Sequence, residues 1–354
     1  MKIASLVSGG VDSSVTIPLI KEMGYDPHLF YIEIGMKDDP NWIDCPAEED
    51  IEIVTYIAKK YGCKMEIVSL QEDYWEKVIS YTINAVKQGL TPNPDIMCNK
   101  LIKFGAFNEK YGNNFDFITT GHYATILTID HEKYLGTAKD TFKDQTYFLG
   151  QITKKQLDKL MFPIGHLLKE EVRQKAIAEK LPSAYRKDSQ GICFLGKINY
   201  SDFIERYVGE KPGKIIELET KKVLGTHKGL WFHTIGQRKG LGLGQGPWFV
   251  VKKDIENNII WVSNGYDPIT QYKEIIELAD FHFLNEKPDR NYLEAQPIKF
   301  KIRHQPTFED GTLINRGNSF VIHSKVPIAG VAPGQYGVIY NTDETICLGS
   351  GVIC

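Results

Sequence analysis

The chain has 354 residues, enough for about two to three domains with a substantial buried core. Hydrophobic residues make up 42% and charged residues 25%, which excludes an intrinsically disordered or collagen-like chain. The net charge of −3 excludes a protein that coats nucleic acid by bulk attraction, but it is compatible with a local basic patch. Because no apolar run approaches the length of a membrane span and the N-terminus lacks a signal-peptide core, we expect a soluble cytoplasmic protein without a membrane partner.

Up to about residue 195, short β-branched runs alternate with segments of helical period. The runs lie at 2–8, 28–34, 64–70 and 115–121, and helices are predicted over 12–24, 47–61 and 72–88. Alternation of this kind predicts an α/β domain with a doubly wound parallel sheet.

From about residue 212 the pattern changes to strands punctuated by glycine, without convincing helices. A strand is predicted over 229–236, for example, and this part of the chain is typical of one or two small β-barrels. The acidic and apolar stretch EIIELADF indicates a further boundary near 270–280. The predicted domains are therefore 1–200, 201–275 and 276–354.

The first predicted strand runs into Ser8-Gly9-Gly10-Val11-Asp12-Ser13-Ser14 and then into an amphipathic helix. Small residues with free amides at a helix N-terminus are typical of a phosphate site, although a tight strand-to-helix connection is the simpler alternative. Asp12 is interpreted as either a Mg²⁺ ligand or a helix cap. The string matches neither the Walker loop nor the dinucleotide fingerprint. The glycine run at 240–246 also fails that fingerprint and is predicted to be a flexible loop before a strand.

Six cysteines, at positions 45, 63, 98, 193, 347 and 354, are too few for a disulfide scaffold, and no C-x-x-C pair indicates a zinc site. Cys98 follows a double-proline loop containing Asp95, and Cys193 follows a polar stretch with a glycine. A helix beginning near Asn99 would place the Cys98 thiol at a positive dipole end. These two cysteines are the candidate nucleophiles, and the other four are interpreted as structural.

Charge is distributed unevenly along the chain. Residues 1–50 carry ten acidic residues and three lysines, whereas residues 151–190 carry nine basic and five acidic residues. The later segment is a candidate surface for a polyanion, with a merely solvated helix face as the alternative.

The string SGGVDSS resembles the PP-loop of the ATP pyrophosphatase superfamily, which cleaves ATP between its α and β phosphates. Further motifs follow in order: GLTPNPDIMCNKLIKFG, TTGHYA, KDQTYFL, RKDSQGICFLG and HTIGQRKGLG. Together they resemble the tRNA-specific 2-thiouridylase family, whose members thiolate the wobble uridine. The resemblance spans residues 8 to 335 and implies a PP-loop domain of the adenine nucleotide α-hydrolase type followed by two small all-β domains.

The resemblance also implies roles for individual residues. ATP would be bound by Ser8, Gly9, Gly10, Val11, Asp12, Ser13, Ser14, Tyr31 and Gly121, with Mg²⁺ at Asp12. The target base and the tRNA would be contacted by Asn93, Pro94, Asp95, His122, Lys143, Asp144, Gln145, Arg303, His304 and Gln335. Tyr31 stands where many relatives carry Met, and His304 where they carry Tyr, so these two contacts depart from the family pattern.

In such a family Cys98 is the nucleophile and Cys193 carries a persulfide. From the chemistry of the reaction, we expect Asp95 to shuttle a proton to or from the base or the Cys98 thiol. Sulfur would come from a donor protein or desulfurase relay, and an external reductant would open the Cys98–Cys193 disulfide that ends each turnover. An Asx turn is the structural alternative for Asp95. The basic segment 151–190 and the FKIRH stretch would supply a phosphate track for tRNA.

Three rival interpretations stay open at this point. A PP-loop enzyme that forms an amide or amine bond would need no thiols. A non-catalytic nucleotide-binding module would release no AMP. An iron–sulfur cluster held by Cys98, Cys193 and Asp95 would replace the disulfide cycle.

Overall fold

The fold is described here from a computed structural model, in which residues 1–35, 47–187, 200–264, 272–285, 295–317 and 319–354 are described. Among the described residues up to 187, the strands are β1 (Ile3–Leu6), β2 (Pro27–Glu33), β3 (Met65–Ser69), β4 (Phe117–Thr119), β5 (Thr125–Ile129), β6 (Glu132–Gly136) and β7 (Leu160–Met161).

The α-helices of the same part are α1 (Val11–Glu22), α2 (Ala47–Tyr61), α3 (Gln71–Tyr74), α4 (Ser80–Lys87), α5 (Pro94–Met97), α6 (Phe107–Lys110), α7 (Lys154–Leu157) and α8 (Lys169–Ala178), and α9 (Tyr200–Val208) follows. Two π-helical stretches, Trp75–Ile79 and Cys98–Ala106, join α3 to α4 and α5 to α6. Short 3-10 helices lie at Gly112–Asn114, Thr146–Leu149, Pro182–Tyr185 and Leu230–Phe232. No helix among the described residues is both long and apolar enough to cross a membrane.

Strands β1, β2, β3, β4 and β7 form a parallel sheet in the order β3-β2-β1-β4-β7. Successive residues of β2 point to opposite faces: Phe30 packs in one apolar cluster, while Leu29 and Tyr31 pack in the other. Helices cover both faces, so the predicted doubly wound sheet is confirmed. The strand order reverses at β1, and the switch point therefore lies between the carboxyl ends of β1 and β4, where such sheets bind ligands.

The second sheet contains β8 (Gly213–Glu217), β9 (Val223–His227), β10 (Trp248–Asp254) and β11 (Ile259–Asn264), in the order β10-β11-β8-β9. Its small core includes Ile215, Trp248 and Ile260. The strand predicted over 229–236 is wrong, since Leu230–Phe232 forms a single 3-10 turn whose Leu230 is buried in this core.

The third sheet contains β12 (Tyr272–Phe283), β13 (Ala295–Lys301), β14 (Glu309–Asn315), β15 (Phe320–Ala329), β16 (Tyr336–Tyr340) and β17 (Ile346–Ile353). Strand β12 pairs with both β15 and β17, which closes the sheet into a barrel. The hairpin β5–β6 was not predicted and joins this sheet: Gly136 pairs with Ile346, and Leu135 with Cys347. The barrel is thus tied to the first domain by main-chain hydrogen bonds. The domain boundaries themselves stay a prediction.

Candidate active site at the carboxyl edge of the parallel sheet

The loop after β1 is a tight turn that its own serines hold in place. Gly9 has a φ of +72°, a conformation that favours glycine. The Ser8 amide donates to Ser13 Oγ over 3.1 Å, and Ser14 Oγ donates to the Gly10 carbonyl over 2.7 Å. Gly10 caps α1 without any side-chain hydrogen bond. The interpretation of Asp12 as the helix cap is therefore wrong, because Gly10 occupies the N-cap position.

An ion pair supports the loop from behind. Arg186 pairs with Asp50, and its Nη1 also donates to the Gly9 carbonyl over 3.2 Å. A Cβ atom on Gly9 would lie 2.8 Å from Asp50 Cα, so only glycine fits there. Burial raises the pKa of Asp50 from its usual value, and the Arg186 guanidinium opposes that shift.

Asp12 points to two partners from distant parts of the chain. Its carboxylate accepts hydrogen bonds from Lys169 Nζ over 2.6 and 2.8 Å and from Tyr123 Oη over 2.9 Å. Among the described residues, no group of three His, Cys, Asp or Glu side chains could hold a metal ion. In this structure the Asp12 carboxylate binds the Lys169 ammonium, and its role as a Mg²⁺ ligand stays a prediction.

The segment after β4 packs directly against this loop. A Cβ atom on Gly121 would lie 2.5 Å from Ser13 N and 2.7 Å from Asp12 C, so the absence of a side chain lets the two segments touch. The next residue, His122, is only 8% exposed, and its Nδ1 lies 2.7 Å from Thr120 Oγ1. Burial lowers the pKa of His122 well below its usual value, so the ring is neutral at pH 7. Tyr31 is likewise buried, in β2.

The Cys98 helix begins earlier than predicted. It starts at Pro94, where the Asn93 side chain caps it by accepting a hydrogen bond from Ile96 N over 3.2 Å. Cys98 is therefore one turn inside a continuous helical segment, and it is 2% exposed. Asp95 lies in the first turn of this helix and is half-buried. The expectation that the helix dipole begins beside the thiol is wrong.

The two residues after Cys98 attach its helix to the segment 148–151. Asn99 is 2% exposed and donates to the Phe148 carbonyl over 3.1 Å. Lys100 donates to Gln151 Oε1 over 3.0 Å, and burial lowers the pKa of Lys100 from its usual value.

The C-terminal barrel reaches the Asn93–Pro94 turn through Gln335. Gln335 Oε1 accepts from Asn93 Nδ2 and from Tyr147 Oη, each over 3.3 Å, and its Nε2 donates to the Pro92 carbonyl over 3.4 Å. The Thr91 amide donates to the Pro333 carbonyl over 2.8 Å. The structure thus brings together two residues predicted to contact tRNA, Asn93 and Gln335, from opposite ends of the chain.

The predicted tRNA contacts Lys143, Asp144 and Gln145 lie between the parallel sheet and the barrel. The Gln145 side chain accepts from Tyr123 N over 2.9 Å. The Asp144 side chain is turned into the protein, where it accepts from Ala138 N and lies 3.7 Å from Lys301 Nζ. Lys143 is half-buried.

Arg303 and His304 follow β13 at the surface of the barrel. The His304 ring lies 4.9 Å from the Phe148 ring, and its Nε2 is 2.9 Å from the Asp144 carbonyl. The exposed Arg303 donates to Gln305 Oε1 and to the Ala329 carbonyl. His304 is therefore close to Asp144, whereas the hydrogen bonds described for Arg303 stay within the barrel. Cys193 and Cys45 lie outside the described residues.

Comparison with known proteins decides the family. Three family models match the chain: a tRNA methyl transferase HUP domain over residues 1–197, a tRNA methyl transferase PRC-barrel domain over 201–264, and an aminomethyltransferase β-barrel domain over 273–353. The chain is 64% identical over 353 residues to the tRNA-specific 2-thiouridylase MnmA of Parabacteroides distasonis, which covers 100% of this chain and 99% of that protein. The chain belongs to the tRNA-specific 2-thiouridylase family.

Other thiouridylases match over the same full length. MnmA of Porphyromonas gingivalis is 60% identical over 357 residues, and MnmA 1 of Bacteroides thetaiotaomicron is 59% identical over 354 residues, each covering 100% of this chain and 99% of that protein. The resemblance stated from the motifs is confirmed, as is the order of one α/β domain and two β domains.

Most cations described in the segment 151–187 of this thiouridylase chain bind other parts of the protein. Lys169 pairs with Asp12, Lys175 with Glu22, and Arg186 with Glu49 and Asp50. Lys154 pairs with Glu132 and Asp158, and Arg173 donates to main-chain carbonyls. Three cations of the basic segment thus pair with four carboxylates of the acidic N-terminal segment, and these cations are not available to a phosphate track.

Sequence reasoning missed Lys169, Arg186, Tyr123, Tyr147 and Lys301 as parts of this site. Lys169 and Arg186 belong to the segment that the charge count singled out, but their contacts with Asp12 and Gly9 span well over a hundred positions. Only the fold brings such pairs together.

Proposed function

We propose that this chain catalyses the ATP-dependent thiolation of tRNA, in which the C2 oxygen of the wobble uridine is replaced by sulfur to give 2-thiouridine, AMP and pyrophosphate. Identity of 64% over the full chain to a tRNA-specific 2-thiouridylase carries this proposal. The contact of Gly121 with the Asp12–Ser13 backbone supports it, because backbone amides and a helix N-terminus then meet at the switch point of the sheet.

The first step activates the base. The C2 oxygen is a poor leaving group, so it attacks the α-phosphate of ATP, pyrophosphate leaves, and C2 becomes electrophilic with AMP as its new leaving group. We assign the ATP phosphates to the amides of the loop at 8–14. Lys169 and Arg186 hold the same loop in place, through the Asp12 carboxylate and the Gly9 carbonyl respectively. We assign no step to Mg²⁺, whose predicted ligand Asp12 binds Lys169 in this structure.

The second step transfers sulfur. A donor protein or desulfurase relay loads a persulfide on Cys193, whose terminal sulfur attacks C2 and expels AMP. The Cys98 thiolate then attacks the Cys193 sulfur, which releases the thiocarbonyl and forms a Cys98–Cys193 disulfide. Alternatively, Cys98 first displaces hydrosulfide from the persulfide, and the hydrosulfide attacks C2. In both routes an external reductant supplies the two electrons that reopen the disulfide.

Asp95 is proposed to move the proton at the base or at the Cys98 thiol. It lies three residues before Cys98 on the same helix, and residues three apart in a helix share a face. Asn93 and Gln335 flank the start of this helix and are proposed to contact the target nucleotide.

Separate cysteine variants test the proposal. Cys193→Ser is expected to accept no radiolabelled sulfur from a donor desulfurase, whereas Cys98→Ser loads sulfur and stalls before a disulfide forms. ATP-dependent adenylation of tRNA is expected in both variants, because it precedes the thiol steps. Loading of Cys193→Ser at the wild-type level would reverse the two roles.

The same variants separate the rival chemistries. Full activity with both cysteines replaced would favour a PP-loop enzyme that forms an amide or amine bond. Absence of AMP release by the wild-type protein with tRNA, ATP and a sulfur donor would favour a non-catalytic nucleotide-binding module. Stoichiometric iron and sulfide in anaerobically purified protein would favour a cluster on Cys98, Cys193 and Asp95.

Since its substrate is tRNA, we place the protein in the cytoplasm.

A further inference from the structure

The glycine-rich loop between the 3-10 turn at 230–232 and strand β10 presents two cations without a partner among the described residues. Arg238 and Lys239 are exposed, and neither side chain has a hydrogen-bond or ion-pair partner in the described part of the chain. The cations of the 151–187 segment differ, since most of them are paired with carboxylates or carbonyls. The loop therefore offers positive charge that no described carboxylate neutralises.

The base of this loop is held by one side chain, Gln237. Its Oε1 accepts from Thr234 N over 2.9 Å, and its Nε2 donates to the Lys239 carbonyl over 2.8 Å. Its main chain also bonds to Val250, whose amide donates to the Gln237 carbonyl over 3.0 Å. Arg238 and Lys239 thus sit on a fixed turn, which lowers the entropic cost of binding an anion.

A cavity of about 180 Å³ opens beside Arg238. It is lined by Arg238, Gly240, Leu241, Gly242, Leu243, Gly246, Pro247 and Trp248. Gly240 and Gly242 have φ values of +81° and +66°, and Trp248 Nε1 donates to the Gly244 carbonyl over 2.8 Å. Glycines without side chains let an anion approach the backbone amides, as in other phosphate-binding loops.

The loop continues the surface on which the family pattern places tRNA. A Cβ atom on Gly236 would lie 3.7 Å from Gly330 Cα, and one on Gly330 would lie 3.1 Å from Arg303 Nη1. The same barrel segment leads to Gln335, which contacts Asn93. The loop, Arg303 and the start of the Cys98 helix therefore follow one another across the three domains.

We propose that the loop at 236–248 is a binding site for the phosphodiester groups of tRNA, with Arg238 and Lys239 as its cationic ligands. This inference rests on the proposed function, since it names a further contact of the same substrate. Arg238 offers a planar guanidinium that matches two phosphate oxygens, and Lys239 offers a point charge beside it. The glycine backbone completes the site with amide donors.

The test is a pair of charge-matched variants. Arg238→Gln/Lys239→Gln removes the two proposed ligands, and Lys214→Gln/Lys222→Gln removes two exposed lysines of the same domain that do not line the cavity. Affinity for unmodified tRNA is measured by filter binding over a salt series. We expect the first variant to weaken binding about tenfold near 100 mM salt and to flatten the log–log salt slope by roughly 1.5, with little change in the second.

Equal affinity and equal salt slope in the two variants would overturn the inference. A loss as large in Lys214→Gln/Lys222→Gln as in Arg238→Gln/Lys239→Gln would also overturn it, because the effect would then come from net charge alone. Thiolation by the wild-type protein is measured in parallel. Its absence would count against the proposed function, whereas wild-type thiolation with unchanged tRNA affinity of the loop variant would count against the loop alone.

Discussion

Asn93 and Gln335 are 242 positions apart, yet their side-chain amides meet at 3.3 Å. Asn93 uses both ends of its amide, because its Oδ1 caps the Cys98 helix while its Nδ2 donates to Gln335. The start of the helix that carries the thiol is therefore oriented by the C-terminal barrel. This contact connects the proposed chemistry in the first domain with a domain whose core is separate.

Two alanine variants separate the two uses of the Asn93 amide. Asn93→Ala is expected to lower stability by about 1 kcal/mol through loss of the helix cap, and also to lower the kcat of thiolation. Gln335→Ala keeps the cap and loses only hydrogen bonds of 3.3 to 3.4 Å, so it should lower stability less than Asn93→Ala does, and it should raise the KM for tRNA. Scanning calorimetry and steady-state thiolation assays check both. Equal loss of stability in the two variants would show that the helix cap is not the source of the stability lost in Asn93→Ala.

Gly121 gives a test of the phosphate loop. In Gly121→Ala the new methyl group would lie 2.5 Å from Ser13 N, a distance that real Cβ atoms do not adopt, so the loop must move. We expect ATP binding, measured by titration calorimetry, to weaken at least about tenfold, a cost of about 1.4 kcal/mol. The isolated variant should still show the circular dichroism of the wild type. Unchanged ATP affinity would mean that ATP does not use the amides beside Gly121.

Local sequence patterns predict much of this fold, but they predict only part of the site. The alternation of β-branched runs with helical segments predicts the parallel sheet, because buried strands and two-sided helix cover leave that signature in sequence. This alternation does not predict the hairpin β5–β6. Its strands are half-exposed, and β6 pairs with β17 of the barrel more than two hundred positions away. Leu230 is apolar in a strand-like run, yet it reaches its core from a 3-10 turn.

The site likewise contains residues that local sequence patterns predict and contacts between distant segments that they do not predict. Motif spacing points to the loop at 8–14, to Cys98 and to Asn93, because glycines, prolines and caps act on their near neighbours. The partner of Asp12 is not local: the sequence predicts a metal at this carboxylate, and the fold also brings the Lys169 ammonium to it from 157 positions away. The charge asymmetry likewise indicates a polyanion surface, whereas three cations of the later segment pair with carboxylates of the first one.

Stability should fall as the pH drops below 7. Burial, followed by the nearby His227 and Lys253, lowers the pKa of His233 to about 4, against about 6.5 in an unfolded chain. Between these values the unfolded state binds a proton that the folded state does not, so the free energy of unfolding rises with pH. From pH 7 to pH 5 this group alone should cost about 2 kcal/mol. The buried His122 shifts in the same direction.

Urea unfolding at pH 7 and pH 5 checks this prediction. His233→Gln should lose less stability on acidification than the wild type, because glutamine does not titrate. His131 is exposed, so His131→Gln should keep the wild-type pH dependence. The prediction is wrong if His233→Gln and the wild type lose equal stability between the two pH values.

Lys301 is the most deeply buried cation among the described residues and the basis of the last prediction. Its side chain has no exposed surface, its Nζ lies 3.7 Å from Asp144 Oδ1, and the same atom lies 3.9 Å from the centre of the Phe308 ring. Burial lowers the pKa of Lys301, and the Asp144 carboxylate opposes that shift. The pair joins β13 of the barrel to the segment at 143–145 of the first domain.

Removing one charge of this pair should cost more than removing both. Lys301→Met leaves the Asp144 carboxylate buried without its counter-charge and should lower stability by about 3–5 kcal/mol. Lys301→Met/Asp144→Asn removes both charges while the amide can still accept from Ala138 N, so it should recover part of that loss. Chemical unfolding of the wild type, both single variants and the double variant gives the coupling energy. A double variant whose loss equals the sum of the two single losses would show that Lys301 and Asp144 do not stabilise each other, and the attachment of the barrel would then depend on the β6–β17 pairing and the Gln335 contacts.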